Sequence, residues 1–413
     1  MSRVRPLTTE FPLRAVKYIA MLRREKIDAV PQARNYVGLE QIQSWTGRLA
    51  EAGYASGGEG AANLFWPGDV LFSKLRPYLA KGWLADHDGF CTTEALVLRP
   101  LGDARFLRYS LLTKEVIDSI DSSTYGAKMP RADWGFIGNL ELPFPAESVQ
   151  RAIANYLDAK TAAIDALIAK KEKLLGLLDR YRQAVIAEAV GRGVRHSTSL
   201  VKSGIPWAPL VPSHWKICKL KTALASVSSG GTPNSGVDAN WSDEGTNWVA
   251  IGDMSSVDEV SATEKRVSAL GLHEKNLTIL PVGTLLYSIY ASLGHVAELR
   301  IPAATNQAIL ALVPNRKACP RYLFWFLKAT QPTVDAYASY GTQANLNAEK
   351  VKNLPLLLPP MAEQSEIAEH LDRRTAEIAK LSNKALEQVE ALRKYRASLV
   401  AAAVTGKLDI PTP

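Results

Sequence analysis

Apolar positions recur at heptad spacing in two places along the chain. The first stripe runs through Ile164, Leu167, Lys171, Leu174, Leu178, Tyr181 and Val185, the second through Ile378, Leu381, Ala385, Gln388, Leu392, Tyr395 and Leu399. Steps of three and four residues put each stripe on one face of an α-helix and suit it to a second helix of similar length. Lys171 and Gln388 interrupt the stripes and would fix their register. Each helix follows a proline-rich strand, LELPFP or LPLLLPP, and stops near glycine, at Gly191 and Gly193 or at Gly406. At about 40 residues each would be roughly 60 Å long. The two helices are expected to pair antiparallel as a coiled coil.

The shared spacing reflects a duplication. Residues 139–190 align without a gap to 353–404, an offset of 214, and 20 of the 52 positions are identical. Matched residues include Pro145/Pro359, Gln150/Gln364, Asp158/Asp372, Tyr181/Tyr395 and Arg182/Arg396. Weaker echoes precede them: NYVGLEQI (35–42) with NWVAIGDM (247–254), WPGDVLFSKLRPYLAK (66–81) with LPVGTLLYSIYASLGH (280–295), and CTTEALVL (91–98) with TNQAILAL (305–312). The chain is thus two copies of a unit of about 200 residues, each a mixed domain followed by a long helix.

Residues 1–145 and 200–358 carry short apolar or alternating runs such as DVLFSKL, EALVLRP, TLLYSIY and AILALVP, punctuated by turn residues. This predicts β-rich α+β domains, with shorter helices near 103–120 and 319–338. The repeat keeps the apolar frame and changes the polar residues set in it. Lys74, Arg76 and Tyr78 fall opposite Ser288, Tyr290 and Ser292, and Lys128, Met129 and Arg131 opposite Gln343, Ala344 and Leu346. Two similar frames with different polar tips are what reading two different DNA half-sites requires. Lys74, Arg76, Lys128 and Arg131 can take guanine or phosphate, and Gln343 and Asn345 can pair with adenine. The SSGGTPN loop adds Gly231 and Thr232, whose backbone N–H groups could approach a phosphate.

Composition agrees. The 413-residue chain carries a net charge of +8, suited to a polyanionic partner such as double-stranded DNA. Three distant cysteines, Cys91, Cys218 and Cys319, offer no zinc ribbon or disulfide framework and read as buried free thiols. The N-terminus has no apolar leader, and the longest apolar stretch, LPLLLPPM, is too short to span a bilayer. A cytoplasmic protein without membrane contact is expected. No phosphate-binding G-x-x-x-x-G-K-[ST] loop, H-E-x-x-H motif or methyltransferase tetrad is present, so neither catalysis, cofactor nor metal is expected. Asp158-x-Lys160 resembles a nuclease fragment, but it is repeated as Asp372-x-Arg374 early on a helix and reads as part of the helix entry.

Along nearly its whole length the chain resembles the specificity subunits of type I restriction–modification enzymes. The resemblance rests on the helix start Pro359-Pro360-Met361-Ala362-Glu363-Gln364-Ser365-Glu366-Ile367, on the helix endings AEAVGRG (187–193) and AAAVTGK (401–407), and on KLRPYLAKGWLADHDGFCTTEALVL (74–98) and SGGTP (229–233). The first copy departs from the helix start at Val149, where the second has Glu363. The resemblance implies an α+β fold with target recognition domain 1 at 1–145, a first spacer helix at 146–195, target recognition domain 2 at 196–360 and a second spacer helix at 361–408. It further implies a bipartite, non-palindromic DNA target, a helical ruler between the halves, two methyltransferase subunits and, in some assemblies, restriction subunits. An orphan DNA-binding protein of the same fold, without methyltransferase partners, is the alternative.

Overall fold

The structure is a computed structural model that describes residues 10–28, 35–50, 60–126, 128–195, 199–255, 257–290, 292–338 and 345–411. The chain divides into two units, Met1–Lys173 with Ala385–Pro413, and Leu174–Lys384. Each long helix, Glu147–Arg192 and Met361–Val404, contributes one part to each unit.

Among the described residues unit 1 contains ten strands: β1 (Leu13–Ala15), β2 (Ala20–Leu22), β3 (Lys26–Ile27), β4 (Tyr36–Val37), β5 (Ala62–Phe65), β6 (Val70–Ser73), β7 (Gly82–Leu84), β8 (Gly89–Thr92), β9 (Ala95–Pro100) and β10 (Glu141–Pro143). They form two four-stranded sheets, β2-β9-β6-β7 and β3-β5-β8-β4, and the pair β1-β10. Unit 2 adds β11 (Leu200–Ile205), β12 (Ala208–Pro212), β13 (Lys216–Lys219), β14 (Leu224–Ser229), β15 (Trp241–Val249), β16 (Glu259–Val260), β17 (Lys265–Val267), β18 (Leu285–Ser288), β19 (Val296–Leu299), β20 (Ala303–Thr305), β21 (Ile309–Pro314) and β22 (Pro355–Leu358). Its main sheet, β14-β21-β18-β19-β16, repeats the order of the first sheet of unit 1 and extends it by one strand. The parallel pairing of Tyr36 and Val37 with Phe90 and Cys91 recurs as Trp248 and Val249 with Ala304 and Thr305. The hairpin β11-β12 belongs to unit 2 alone among the described residues.

The expected domain helices are present at Ala104–Leu111, Lys114–Ser122 and Pro320–Thr330. Apolar faces of these helices close the cores, with Leu107, Leu111, Ile117 and Ile120 in unit 1 and Leu323, Phe324 and Phe326 in unit 2. Of the three cysteines only Cys91 is buried, and burial pushes its thiol up to about 12. Cys218 and Cys319 are half-buried, which corrects the expectation of three buried thiols.

Duplicated side chains fasten each domain to its long helix. The buried Gln150 accepts from the Asp103 backbone N–H (3.0 Å) and donates to the Pro145 carbonyl (2.8 Å). Gln364 accepts from the Cys319 N–H (2.8 Å) and donates to the Pro359 (2.9 Å) and Lys317 (3.1 Å) carbonyls. Asp158 receives Tyr109 and Arg105 (2.7 and 3.0 Å), while Asp372 receives Trp325 and Arg321 (2.9 and 2.7 Å). These contacts give the repeated aspartate a fastening role at the helix entry. Val149 joins an apolar cluster, whereas Glu363 accepts from the Trp215 indole (2.9 Å) and lies 2.7 Å from His214, residues that follow the β11-β12 hairpin.

Substituting Gln364 with Leu should destabilise the protein by about 2–4 kcal/mol, because each buried group left unpaired costs about 1–3 kcal/mol. A chemical unfolding midpoint within error of wild type would refute that role.

The long helices run antiparallel within each unit. Asp165 and Glu172 on the first meet Arg396 and Arg393 on the second at 2.8 Å in unit 1. Tyr181 meets Arg374 at 3.0 Å and Arg195 meets Glu366 at 3.0 Å in unit 2. The buried seam differs from the expected one at alternate positions. Leu167, Leu174, Tyr181, Leu381 and Tyr395 are exposed, and the next residues, Ile168, Leu175, Arg182, Ser382 and Arg396, turn inward. A four-then-three spacing is as good a heptad as three-then-four. The inward arginines find acceptors, Asp258 for Arg182 (3.2 Å) and Asp165 for Arg396 (2.8 Å), while the tyrosine rings stay half in water.

Candidate nucleic-acid interface

Three loops of unit 1 are tied together beside the end of β6. The loop after β6 begins at Lys74, whose N–H donates to the Glu94 carbonyl (3.0 Å) and whose carbonyl accepts from Ala132 (2.9 Å). Arg76 donates its N–H to the Pro130 carbonyl (2.8 Å) and adopts a left-handed conformation, φ 49°. A non-glycine residue is strained there and persists only where its surroundings fix it. Tyr125 and Arg131 exchange backbone bonds (3.1 and 3.0 Å), and Leu75 bridges to Arg131.

The predicted residues Lys74, Arg76, Tyr78, Lys128 and Arg131 therefore lie on backbone segments that are hydrogen-bonded to one another. Arg76, Tyr78 and Lys128 are exposed, and Lys74 is half-buried. Arg131 is engaged by Glu94: Nε reaches both carboxylate oxygens (3.2 and 3.1 Å) and Nη2 reaches Oε1 (3.1 Å). That hydrogen bond and charge raise the arginine's pKa above its ordinary value.

Unit 2 shows the same frame with other chemistry. Ser288 ends β18, and Tyr290 and Ser292 lie on the loop after it, both exposed. Ser288 is buried, and its hydroxyl donates to the Tyr290 carbonyl (2.7 Å), as Ser73 donates to Leu75 (2.7 Å). It closes the loop, which corrects its expected place on the surface. His295, whose N–H donates to the Ser292 carbonyl (3.1 Å), completes the closure; burial and the nearby Lys328 lower its pKa.

In the SGGTP segment, a Cβ on Gly230 would lie 1.9 Å from the Thr305 carbonyl, so only glycine fits. Gly231 donates its N–H to that carbonyl (2.9 Å), and the Trp248 indole donates to the Gly231 carbonyl (3.0 Å). The expected phosphate contact through the Gly231 N–H is thereby corrected, since that donor is already spent. Thr232 donates to the exposed Gln307 side chain. Asn345 is half-buried beside Leu346, whose N–H donates to the Ile289 carbonyl (3.1 Å), and Gln343 lies outside the described residues.

Strand pairing also revises which residues correspond. Ser73 pairs with Ala95 and Ser288 with Ile309; Ala95 and Ile309 are 214 apart, Ser73 and Ser288 are 215 apart. Lys74 therefore corresponds to Ile289 and Leu75 to Tyr290, not Lys74 to Ser288. The loop closed by Ser73 and Lys81 spans 74–80, whereas that closed by Ser288 and His295 spans 289–294, one residue shorter. The bonds of Ala132 to Lys74 and of Leu346 to Ile289 place Arg131 opposite Asn345, not Leu346. Sequence reading missed Glu94 and Gln307 because each lies beside an apolar run, in CTTEALVL and TNQAILAL, and looks like its flank.

Two similar sheets that end in loops with unlike polar side chains give the chain a duplicated design. Residues 212–391 match the family model of the type I restriction modification DNA specificity domain. The type I restriction enzyme MjaIX specificity subunit of Methanocaldococcus jannaschii is 26% identical over 38% of this chain and 37% of that protein. The StySPI specificity subunit of Salmonella potsdam is 23% identical over 70% of this chain and 62% of its own. The chain spans 34 to 62% of the length of the first curated relatives it matches. A chain from a structure on complex assembly and conformational transition of the type I R-M system superposes with a TM-score of 0.76, at 18% identity, over 98% of this chain and all of that one, and shares the fold. By these comparisons the chain is similar to type I restriction enzyme specificity subunits, and residues 212–391 carry the match to a DNA specificity domain.

Proposed function

We propose that the chain is the non-catalytic subunit that reads a bipartite, non-palindromic target in double-stranded DNA and directs methyltransferase subunits to it. Target recognition domains 1–145 and 196–360 each read one half, and the spacer helices 146–195 and 361–408 set the gap. Two methyltransferase subunits are the partners, with restriction subunits joining in some assemblies, in the cytoplasm. The observation that carries this reading is the repeated sheet with exchanged tips: Lys74, Arg76, Tyr78, Lys128 and Arg131 on one copy, Tyr290, Ser292 and Asn345 on the other. Similar frames present different donor and acceptor patterns, as two unlike half-sites demand. Long paired helices are a suitable ruler, because a rigid spacer fixes half-site distance. Among the described residues, no group of three or more His, Cys, Asp or Glu is placed to hold a metal ion, and no helix is long and apolar enough to cross a membrane.

Methylated adenine is mapped across the genome of host cells with and without the gene. The expected result is one split motif with a fixed gap that disappears with the gene. An unchanged methylome refutes the methyltransferase-directing role in that host.

A further inference from the structure

We infer that Arg131 reads a guanine in the first half of the target and that Glu94 is its positioning residue; this rests on the DNA-reading function proposed above. Arg131 has its own N–H and carbonyl bonded to Tyr125, and its neighbours Pro130 and Ala132 are bonded to Arg76 and Lys74. Glu94 is fixed in turn, its carbonyl taking the Lys74 N–H and its N–H reaching the Thr92 hydroxyl (3.3 Å).

The guanidinium is then fixed as well. It offers two forks, one from Nε and Nη2, the other from Nη1 and Nη2. Glu94 occupies the first fork at 3.1–3.2 Å. Among the described residues no hydrogen bond uses Nη1 of Arg131, so the second fork keeps its donors and its plane is set by the carboxylate. A planar fork matches the O6 and N7 acceptors of guanine. A phosphate would be the poorer ligand: Glu94 cancels the arginine's charge and would repel the anion, whereas the neutral guanine edge needs only directed donors.

The device belongs to one copy. Glu94 corresponds to Ala308 and Arg131 to Asn345, so the second domain has neither the carboxylate nor the guanidinium at these places. The effect of losing it must fall on one half of the target.

The test compares the methylated motif in host cells carrying the wild-type gene, Arg131→Ala, Glu94→Ala or Glu94→Gln. Wild type is expected to require guanine at one position of one half. Arg131→Ala should weaken that preference at least fivefold, in line with about 1–3 kcal/mol for a bidentate base contact. Glu94→Ala should relax the same position and no other, and Glu94→Gln, with one acceptor oxygen left, should fall between. With wild-type protein in its complex, 7-deazaguanine at that position, which lacks the N7 acceptor, should weaken binding at least fivefold. The inference is overturned by an unchanged motif in all variants, by methylation that falls at every site without altered base preference, or by indifference to 7-deazaguanine. Absence of any split motif in wild type is a different result and overturns the proposed function itself.

Discussion

Replacing Lys74, Arg76 and Lys128 together with alanine is expected to lower the slope of log affinity against log salt by about 2.7, since each phosphate contact contributes about 0.9. Between 50 and 200 mM salt, wild type would then lose roughly 40-fold more affinity than the triple variant. The three cations lie on backbone segments joined by the bonds of Lys74 to Glu94 and Ala132 and of Arg76 to Pro130, and among the described residues no ion pair uses them. Arg131 is left out: paired with Glu94 it carries little net charge to neutralise a phosphate. The same distinction separates this experiment from the base-reading one, because the triple variant should weaken all sequences alike. Ser288→Ala is the control, a buried hydroxyl whose loss leaves the slope unchanged. An unaltered slope in the triple variant would remove these residues from the contact list.

How far the sequence revealed this molecule depends on how local each feature is. The duplication was legible because its strongest positions are tied to single contacts. Gln150 and Gln364 accept from the Asp103 and Cys319 N–H groups that precede their domain helices, and Asp158 and Asp372 receive side chains from those helices, so identity at an offset of 214 reports a real spatial equivalence. The seam was legible in period and not in phase. Leu167 and Tyr181 look like better core residues than Ile168 and Arg182, and only the acceptor Asp258, 76 residues away in the chain, explains why Arg182 turns inward.

Loop equivalence was the least legible. A one-residue difference between 74–80 and 289–294 preserves the letters around it, and it shows only when Ser73 and Ser288 are paired through Ala95 and Ile309. Glu94 was hidden for the same reason. Its meaning comes from Arg131, 37 positions on, brought beside it by the shared contact with Lys74. Of the expected site, Lys74, Arg76, Lys128 and Arg131 lie on segments whose backbones are hydrogen-bonded to one another. Ser288 and the Gly231 N–H drop out of the site, because burial and the Thr305 carbonyl claim them.

A chain cut after residue 195 is expected to dimerise, because unit 1 is incomplete without the end of the second long helix. Leu399, Val400, Ala403 and Val404 are buried in one apolar cluster with Phe106, Tyr109, Ile153, Leu157 and Ile164. Losing the two valines and the leucine would forfeit about 5–9 kcal/mol, at about 1.5–3 kcal/mol per buried side chain, an upper estimate. The first long helix carries a substitute at the same offset of 214: Val185, Ile186, Ala189 and Val190 for those four, with Arg182 for Arg396. A second copy of residues 1–195 can therefore supply the missing turns, and by two-fold symmetry each copy completes the other. Such a dimer holds two copies of the first domain and should select an inverted repeat of one half-site. One position resists. Arg393 pairs with Glu172 at 2.8 Å, but its counterpart is Asp179, which would face that glutamate with like charge. Two-fold symmetry makes two such pairs, so Asp179→Arg should tighten the dimer by about 2- to 30-fold, as an exposed ion pair contributes about 0.2–1 kcal/mol. Sedimentation equilibrium distinguishes the cases: a folded monomer at micromolar concentration would show that unit 1 closes without these turns, and unchanged association in the Asp179→Arg dimer would show that the copies meet in another register.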